Sequence, residues 1–423
     1  KAGTAPPAAA ASGVVEVSAR IPHQATRVRI TVEVEPPAAG GAPRVSVIPS
    51  AAAAGRGDTI PRDLAVGGGR ALPRVLVVTS EDALGRNVGR EEAATALAAI
   101  RAKNLPLMSD LPAGASVLDA AKAVQARARS EKNLDGVLLL GGYDVVPSLR
   151  LDVLSPDLRR KVGDSDDPDD FIVWSDEIYA SADGTVAERP VSRLPDGRSA
   201  ALLFSALQAA GTRRGRGRCG VRNIRREFAD PIFRSLPGRS ALATSKPATQ
   251  DRLPPLDGDF VYLMLHGDDR DGSRFWGEDT EGGQEAVTVG NVPQSVGPVV
   301  FTGCCWGALA SDPPASHAGN GQPIAPRAPE SSIALRFLSG GAVAFVGCTG
   351  AHYSPTESPY AYFGGPMHSG FWSAYLAGAA PARALFEAKR RYAAGIPHGS
   401  KTAISEAIER KILAEYTCLG LGF

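Results

Sequence analysis

Hydrophobic residues follow two different patterns along this chain. Between residues 13 and 49, apolar and polar residues alternate in VVEVSARI, VRITVEVE and RVSVIPS, which predicts a small β-rich segment. From Arg74 onward, apolar runs such as RVLVVTS and GVLLLGG alternate with Ala-rich helical segments around Glu91 to Lys103 and Ser116 to Ser130. This alternation predicts parallel strands joined by helical crossovers, and therefore an α/β fold.

Two short apolar runs in the second half are candidates for central strands. Residues 260–265 and 298–302 are rich in Val, Leu, Phe and Tyr and are flanked by Gly, Asp and Pro, which is typical of strands buried on both faces. The first run ends on His266-Gly267 and the second on Cys304-Cys305. Because reactive groups of such sheets collect at the carboxyl ends of strands, a histidine and a thiol are predicted to lie side by side.

A thiol beside an imidazole is the minimum required for nucleophilic catalysis by cysteine. An unperturbed thiol has a pKa of about 8.5, so a neighbouring histidine must take its proton or stabilise the thiolate. Glycines 267, 303 and 307 allow a sharp turn and a close approach of the backbone to a substrate carbonyl. We therefore predict an oxyanion hole formed by backbone N–H groups at Gly267 and Gly303.

Composition limits the classes of function. A chain of 423 residues with 43% hydrophobic content can bury one large core or two moderate ones. A net charge of +1 argues against nucleic acid as the main partner, and the lack of an apolar run of about 18 residues predicts no membrane span. The five cysteines have no zinc-like spacing, and free thiols favour a reducing, cytoplasmic location. The chain starts at Lys1 rather than at Met, so a removed signal peptide and a secreted location stay open.

Six segments occur in an order that identifies a known family. They are LLLGGYDVVP, SDEIYASADG followed by VSRLP, LMLHGDDRDGSRFWG, VVFTGCCWGAL, GGAVAFVGCTGAHYSP, and the closing pair FEAKRRY and KILAEYTCLG. With these motifs the chain from about Leu72 resembles the gingipain-like cysteine peptidases, relatives of caspases, legumains and clostripain. The resemblance implies a caspase-hemoglobinase-like three-layer α/β/α sandwich with a mostly parallel sheet.

The resemblance also implies a domain organisation and a catalytic dyad. Residues 72–423 would form the peptidase domain, with halves at about 72–197 and 198–423, after a linker at 56–71 and an N-terminal β-rich pro-region or adaptor at 1–55. His266 matches the family's His-Gly motif, and Cys304 matches its Cys-x-x-Gly motif. The family often has Ala before its cysteine, where this chain has Gly303. The implied enzyme needs no organic cofactor, acts on protein or peptide substrates, and has Ca²⁺ in some relatives as a structural ion, so the metal content stays unknown.

The second cysteine of the pair allows a different prediction. GCCWG also fits the G-x-C-x-G nucleophile elbow of α/β-hydrolases, in which Cys305 would be the nucleophile. That fold requires the catalytic histidine after the nucleophile, so His352, His368 or His398 would serve. Chain order and the flanking motifs favour the dyad of His266 and Cys304, with Cys305 as a packing residue. A purely structural role for Cys304 is the third alternative.

The resemblance places a substrate pocket at Asp176 in WSDEIYAS. In family members specific for basic residues, the matching aspartate lies at the base of the pocket, where a carboxylate would select Arg or Lys. Cys348, His352 and Tyr353 match the segment that walls this pocket. The alternative for Asp176 is a turn cap, and for Trp276 we expect packing beside the His-Gly loop.

Two charged segments remain. The acidic stretch GDSDDPDD could supply an acid that orients His266, with Asp164, Asp166 and Asp167 as candidates, or a calcium loop, or a solvated loop. The stretch TRRGRGRCGVRNIRREF is expected to be a flexible loop or a basic patch, and in an Arg-specific enzyme it would be a site of self-cleavage.

The sequence therefore predicts a cysteine endopeptidase that cleaves after Arg or Lys. Besides the α/β-hydrolase, the alternative is a catalytically idle interaction domain on the same scaffold. In either case the N-terminal region is a candidate for contact with a regulatory partner.

Overall fold

The fold is given by a computed structural model. It describes residues 30–34, 45–49, 64–181, 187–245, 253–277, 284–319, 322–399 and 402–423, with backbone only for 30–34, 45–49, 284 and 397–399. The chain divides into two units, Lys1–Ile60 and Pro61–Phe423, and the boundary falls inside the predicted linker. In the first unit, β1 (Ile30–Val34) pairs with β2 (Val45–Pro49) in antiparallel register. Both strands lie in the segment predicted to be β-rich, while the role of that segment stays a prediction.

The first half of the second unit contains short strands and four helices. In chain order they are β3 (Val75–Val78), α1 (Glu81–Val88), α2 (Arg90–Ala102), β4 (Leu107–Met108), α3 (Val117–Ser130), β5 (Gly136–Leu140), β6 (Leu149–Asp152), α4 (Pro156–Val162), β7 (Ile172–Ser175) and β8 (Val191–Leu194).

The second half continues the same alternation. Its elements are α5 (Ala200–Gln208), β9 (Arg218–Asn223), α6 (Ala229–Ser235), β10 (Ala243–Ser245), β11 (Phe260–Met264), β12 (Arg274–Gly277), β13 (Gln284–Thr288), β14 (Val299–Thr302), β15 (Ser311–Asp312), β16 (Ala325–Pro326), α7 (Ile333–Ser339), β17 (Ala344–Cys348), α8 (Gly364–Leu376), α9 (Pro381–Gly399), α10 (Ala403–Glu415) and β18 (Tyr416–Leu419).

Ten of these strands form one central sheet in the order β10-β9-β11-β14-β17-β18-β8-β5-β3-β4. Every neighbouring pair is parallel except β17 and β18, which are antiparallel. Every residue of β3, β5, β11, β14 and β17 is buried, which explains why these strands appear in the sequence as continuous apolar runs. Helices flank the sheet, with α5 packed on α2 and α7, and α8 packed on α9. The predicted α/β architecture with a mostly parallel sheet is confirmed.

Several helices begin where a hydroxyl side chain can cap them. Ser80, Ser116 and Ser332 each accept a hydrogen bond from the backbone N–H three residues later, at the start of α1, α3 and α7. Such caps fix the exit of the chain from the preceding strand or loop. No helix in the described part of the chain is long and apolar enough to cross a membrane.

The Arg-rich stretch is a strand in its second part, so the expectation of a continuous loop was wrong there. Residues Arg218–Asn223 form β9, which pairs with β10 and β11. The guanidinium of Arg218 donates to four backbone carbonyls, and that of Arg222 pairs with Asp230 at 2.7 and 3.0 Å. Because these side chains find partners at the sheet edge, their charge does not oppose strand formation.

Candidate functional site

The carboxyl ends of β11 and β14 lie next to each other in the sheet. Phe260 to Leu263 pair in parallel register with Val299 to Thr302, so the segments that follow them leave the same edge. His266 is half-buried and is fixed by two backbone hydrogen bonds with Trp276, of 2.8 and 2.9 Å. The structure thus brings the His-Gly segment and the cysteine pair to the same edge of the sheet, while the catalytic roles of His266 and Cys304 stay predictions. Trp276 is also half-buried, and Arg274 lies over its ring at 5.4 Å from the centroid.

Gly267 touches the backbone of Cys305. A Cβ built on Gly267 would lie 2.0 Å from the carbonyl oxygen of Cys305, so only glycine fits at this position. Among the described residues, no group accepts a hydrogen bond from the backbone N–H of Gly267 or of Cys305. Two backbone donors at one strand edge are therefore free to bind an oxyanion.

The thiol of Cys304 is enclosed by the neighbouring strand. Its side chain is fully buried, its Sγ accepts from the N–H of Leu265 at 3.3 Å, and it lies 3.9 Å from the carbonyl oxygen of Leu263. Burial raises the pKa of Cys304 to about 12. This thiol is held in the protonated form at neutral pH, away from solvent.

The thiol of Cys305 lies in a different environment, although it is the next residue. Cys305 is half-buried, and its Sγ accepts from the backbone N–H of His352 at 3.3 Å. Burial raises the pKa of this thiol, and the His352 N–H opposes the shift because it stabilises the thiolate. Trp306, which follows, has a φ of 49°, a conformation that turns the chain sharply directly after Cys305.

Gly303 does not match its predicted role as an oxyanion donor. Its N–H donates to the carbonyl oxygen of Leu263 at 3.0 Å, as part of the sheet. A Cβ at Gly303 would lie 2.4 Å from Sδ of Met264, so the glycine is required for packing. The free donor in this segment is the N–H of Cys305.

Asp176 is engaged inside the protein. The guanidinium of Arg193 is fully buried and donates to both carboxylate oxygens of Asp176, at 2.8 and 2.7 Å. The remaining Arg193 nitrogen donates to the carbonyls of Gly141, Gly142 and Val146. Specificity for basic residues through Asp176 stays a prediction, and this bidentate ion pair counts against it.

The predicted pocket wall lies in a buried polar cluster. Cys348 is fully buried, His352 Nδ1 lies 2.9 Å from Glu415 Oε1, and the hydroxyl of Tyr353 donates to Asp167 at 2.8 Å. Burial lowers the pKa of His352 well below its usual value, so its ring is neutral. Glu415 belongs to α10, and Asp167 is bound by Lys411 of the same helix. That Cys348, His352 and Tyr353 wall a substrate pocket stays a prediction.

The three candidate acids differ in their surroundings. Asp164 and Asp166 are exposed, whereas Asp167 is buried and accepts from Nζ of Lys411 at 2.9 and 2.7 Å. Asp167 is therefore the partner of a buried lysine. The orientation of His266 by any of the three, and calcium binding by the segment, stay predictions.

Three functional candidates were missed by the sequence analysis: Asp169, Lys411 and Glu415. Asp169 accepts from Nε1 of Trp306 at 2.9 Å, accepts from the N–H of Ala351, and pairs with Lys411 at 2.7 Å. Asp169 thus connects Trp306, which follows Cys305, with Ala351. Ala351 precedes His352, the residue whose backbone N–H donates to the Cys305 thiol. For Lys411 and Glu415, the signal available in the sequence was a lysine and a glutamate four positions apart on the otherwise apolar face of the closing helix.

Comparison with solved structures shows which fold this is. The crystal structure of the Arg-specific cysteine proteinase gingipain R aligns with a TM-score of 0.52 at 12% identity, over 83% of this chain and 77% of that chain. The chain has the fold of gingipain R. The complex of Porphyromonas gingivalis RgpB pro- and mature domains aligns similarly, with a TM-score of 0.53 at 11% identity over 82% and 78%.

The likeness to gingipain R confirms the caspase-hemoglobinase fold that the motifs predicted. A third structure, described only as a protease, aligns with a TM-score of 0.50 at 12% identity, over 83% of this chain and 77% of that chain. No family model matches the chain, and a search of curated proteins finds no match. At these identities the likeness to gingipain R establishes the fold, and the chemistry must be argued from the site.

Proposed function

We propose that this chain is a cysteine peptidase in which Cys305 is the nucleophile and His266 the general base. The observation that carries the proposal is the contact of Gly267 with the backbone of Cys305. The thiol of Cys305 is half-buried, and the backbone N–H groups of both residues have no acceptor among the described residues. The gingipain R fold supports the same class of chemistry, because that structure is of a cysteine proteinase. The assignment of Cys304 from the sequence stays a prediction, and the complete burial of its thiol counts against it.

The proposed reaction follows from these groups. His266 accepts the thiol proton of Cys305, and the sulfur attacks the scissile carbonyl carbon to form a C–S bond. The resulting oxyanion accepts hydrogen bonds from the N–H groups of Gly267 and Cys305. His266 then gives its proton to the departing amine, and water hydrolyses the thioester to release the acid and regenerate the thiol.

The nucleophile-elbow alternative is less well supported. In that mechanism a later histidine would act on Cys305, but the ring of His352 is directed at Glu415 and only its backbone contacts the thiol. His368 is buried between the hydroxyls of Tyr262 and Tyr416, at 2.7 and 2.5 Å. The side chain of His398, the third candidate, lies outside the described residues.

Self-cleavage is proposed for a narrower region than the sequence suggested. Residues 212–216 are exposed, whereas the arginines of β9 are held by the sheet. Even here, Arg214 and Arg216 donate their backbone N–H groups to Asp259 at 2.7 and 3.0 Å. Cleavage at this segment would require those bonds to open, and an identical intact mass for wild type and an inactive variant would disprove it.

Regulation through the N-terminal region is also a proposal. It is supported by the similarity to a protein whose pro- and mature domains form a complex. We would test it by adding a peptide of residues 1–55 to residues 61–423 and measuring peptidase activity. An unchanged rate at saturating peptide would contradict the idea.

The first experiment compares hydrolysis of fluorogenic peptides that contain Arg, Lys or Asp. Cys305→Ala and His266→Ala are expected to abolish hydrolysis, while Cys304→Ala retains it with reduced stability. Loss in Cys304→Ala with retention in Cys305→Ala would restore the sequence-based assignment. Retention in His266→Ala would favour the elbow mechanism, and no labelling of wild type by a peptidyl chloromethyl ketone would favour an idle interaction domain.

A further inference from the structure

Three side chains with metal-binding atoms meet at the junction of β17 and β18. Cys348 is the last residue of β17, and it pairs across the antiparallel strand with Tyr416, which directly follows Glu415. His352 comes four residues after Cys348 and returns to the same place. Among the residues that the structure describes, one ligand atom from each of Cys348, His352 and Glu415 lies within 4.8 Å of the others.

These three side chains are removed from solvent and incompletely satisfied. Cys348 is fully buried, and the side chains of His352 and Glu415 are 0% exposed. His352 Nδ1 and Glu415 Oε1 are 2.9 Å apart, but His352 Nε2 and Glu415 Oε2 have no hydrogen-bond partner. Unpartnered buried polar atoms are uncommon because burial without a hydrogen bond is costly, so they call for an explanation such as an ion.

The charge around the cluster is compatible with a cation. Lys411 lies nearby, but its ammonium is already paired with Asp167 and Asp169 at 2.7 Å each. Its positive charge is therefore compensated within the protein. A thiolate and a carboxylate from Cys348 and Glu415 would together neutralise a divalent ion.

The donor set indicates which ion. Sulfur, imidazole nitrogen and carboxylate oxygen together suit Zn²⁺, which binds such ligands at roughly 2.0 to 2.3 Å, whereas Ca²⁺ and Mg²⁺ prefer oxygen alone. Tetrahedral coordination at those bond lengths needs ligand atoms about 3.3 to 3.8 Å apart. Because the ligand atoms of this cluster already lie within 4.8 Å of one another, small side-chain rotations would bring them to that separation. We propose that Cys348, His352 and Glu415 form a zinc-binding site with one remaining position for water.

Such a site would act on the thiol described above. His352 contributes its ring to the cluster and its backbone N–H to Sγ of Cys305, at 3.3 Å. A metal ion that draws the ring toward Cys348 would move this N–H. Zinc binding is therefore expected to change the reactivity of Cys305, whether or not the chain is a peptidase.

The test is a titration of the metal-free, reduced full chain with Co²⁺, which replaces Zn²⁺ and reports thiolate ligation through its charge-transfer absorption. Wild type is expected to show this absorption at one equivalent and to lose it on addition of Zn²⁺. Cys348→Ser is expected to lack it, and Glu415→Gln and His352→Gln to weaken Co²⁺ binding at least tenfold. The matched controls Cys418→Ser and Cys305→Ser are expected to retain it.

Two results would overturn the proposal. One is the absence of a thiolate band in wild type or its survival in Cys348→Ser. The other is its loss in Cys305→Ser, which would place the metal on the nucleophile instead. If Cys348→Ser does not fold by circular dichroism, X-ray absorption of zinc-loaded wild type decides, because a coordination shell without sulfur excludes the site.

Discussion

Gly267→Ala is the substitution that most directly tests the proposed active site. The added methyl would lie 2.0 Å from the carbonyl oxygen of Cys305, whereas ordinary contact begins at 3.4 Å. The two segments must therefore separate by about 3.4 − 2.0 = 1.4 Å. Displacement of a reacting group by about 1 Å costs on the order of 100-fold in rate. We expect kcat/KM to fall at least ~100-fold, equivalent to about 2.7 kcal/mol of transition-state stabilisation.

The assay is kcat/KM for a fluorogenic peptide that wild type cleaves, together with the rate of Cys305 alkylation by iodoacetamide, mapped by mass spectrometry. Gly290→Ala is the matched control, because a Cβ there would meet only Oγ1 of Thr288 at an ordinary 3.5 Å. Both variants should retain the circular dichroism of wild type. A Gly267→Ala enzyme within threefold of wild type would refute the role of this contact.

Three further outcomes are expected. Arg193→Met should lower the free energy of unfolding, measured in urea, by about 3 to 5 kcal/mol, because it leaves the Asp176 carboxylate buried without its partner. A loss below about 1 kcal/mol would contradict this expectation. Asp176→Asn should reduce the midpoint of thermal unfolding while keeping the ratio of rates for Arg, Lys and Asp peptides; a selective loss for Arg and Lys would instead support the pocket prediction. Burial lowers the pKa of His368 from 6.5 to about 3, so protonation favours the unfolded state and stability should fall as pH decreases from about 6.5 toward 3. Burial also lowers the pKa of His352, so His368→Phe should remove only part of this loss of stability at low pH. Equal slopes of unfolding free energy against pH in variant and wild type would exclude a contribution from His368.

The elements of the fold were predictable where burial is uniform. Strands β11, β14 and β17 are buried on both faces, so their sequences are continuous apolar runs with polar ends. β9 was missed because its buried Cys219, Gly220 and Val221 lie between two arginines whose partners come from elsewhere in the chain. Local patterns contain no information about such partners.

The choice between two adjacent cysteines could not be made from the sequence. Successive side chains of an extended segment point to opposite sides, so a shift of one residue exchanges the buried and the accessible position. Which thiol faces outward depends on how the chain turns after Thr302, and that turn includes a tryptophan with positive φ. The Arg193–Asp176 pair was not foreseen either, because Arg193 lies within β8, Asp176 follows β7, and the sequence does not show that these segments meet.

The position of β18 has a consequence for the order in which this protein folds. This strand is formed by residues 416–419, and among the described strands it is the one that hydrogen-bonds to both β17 and β8 in the central sheet. During synthesis, the half of the sheet with β3, β5 and β8 and the half with β11, β14 and β17 can each assemble, but the sheet cannot become continuous until residue 419 has left the ribosome. We expect a chain ending at residue 415 to be digested by protease between β8 and β17, where β18 is then missing. A truncated chain that is monomeric and protected would show that the two halves hold together without β18. A nascent chain would thus acquire its candidate nucleophile and its candidate base long before the sheet that supports them becomes continuous.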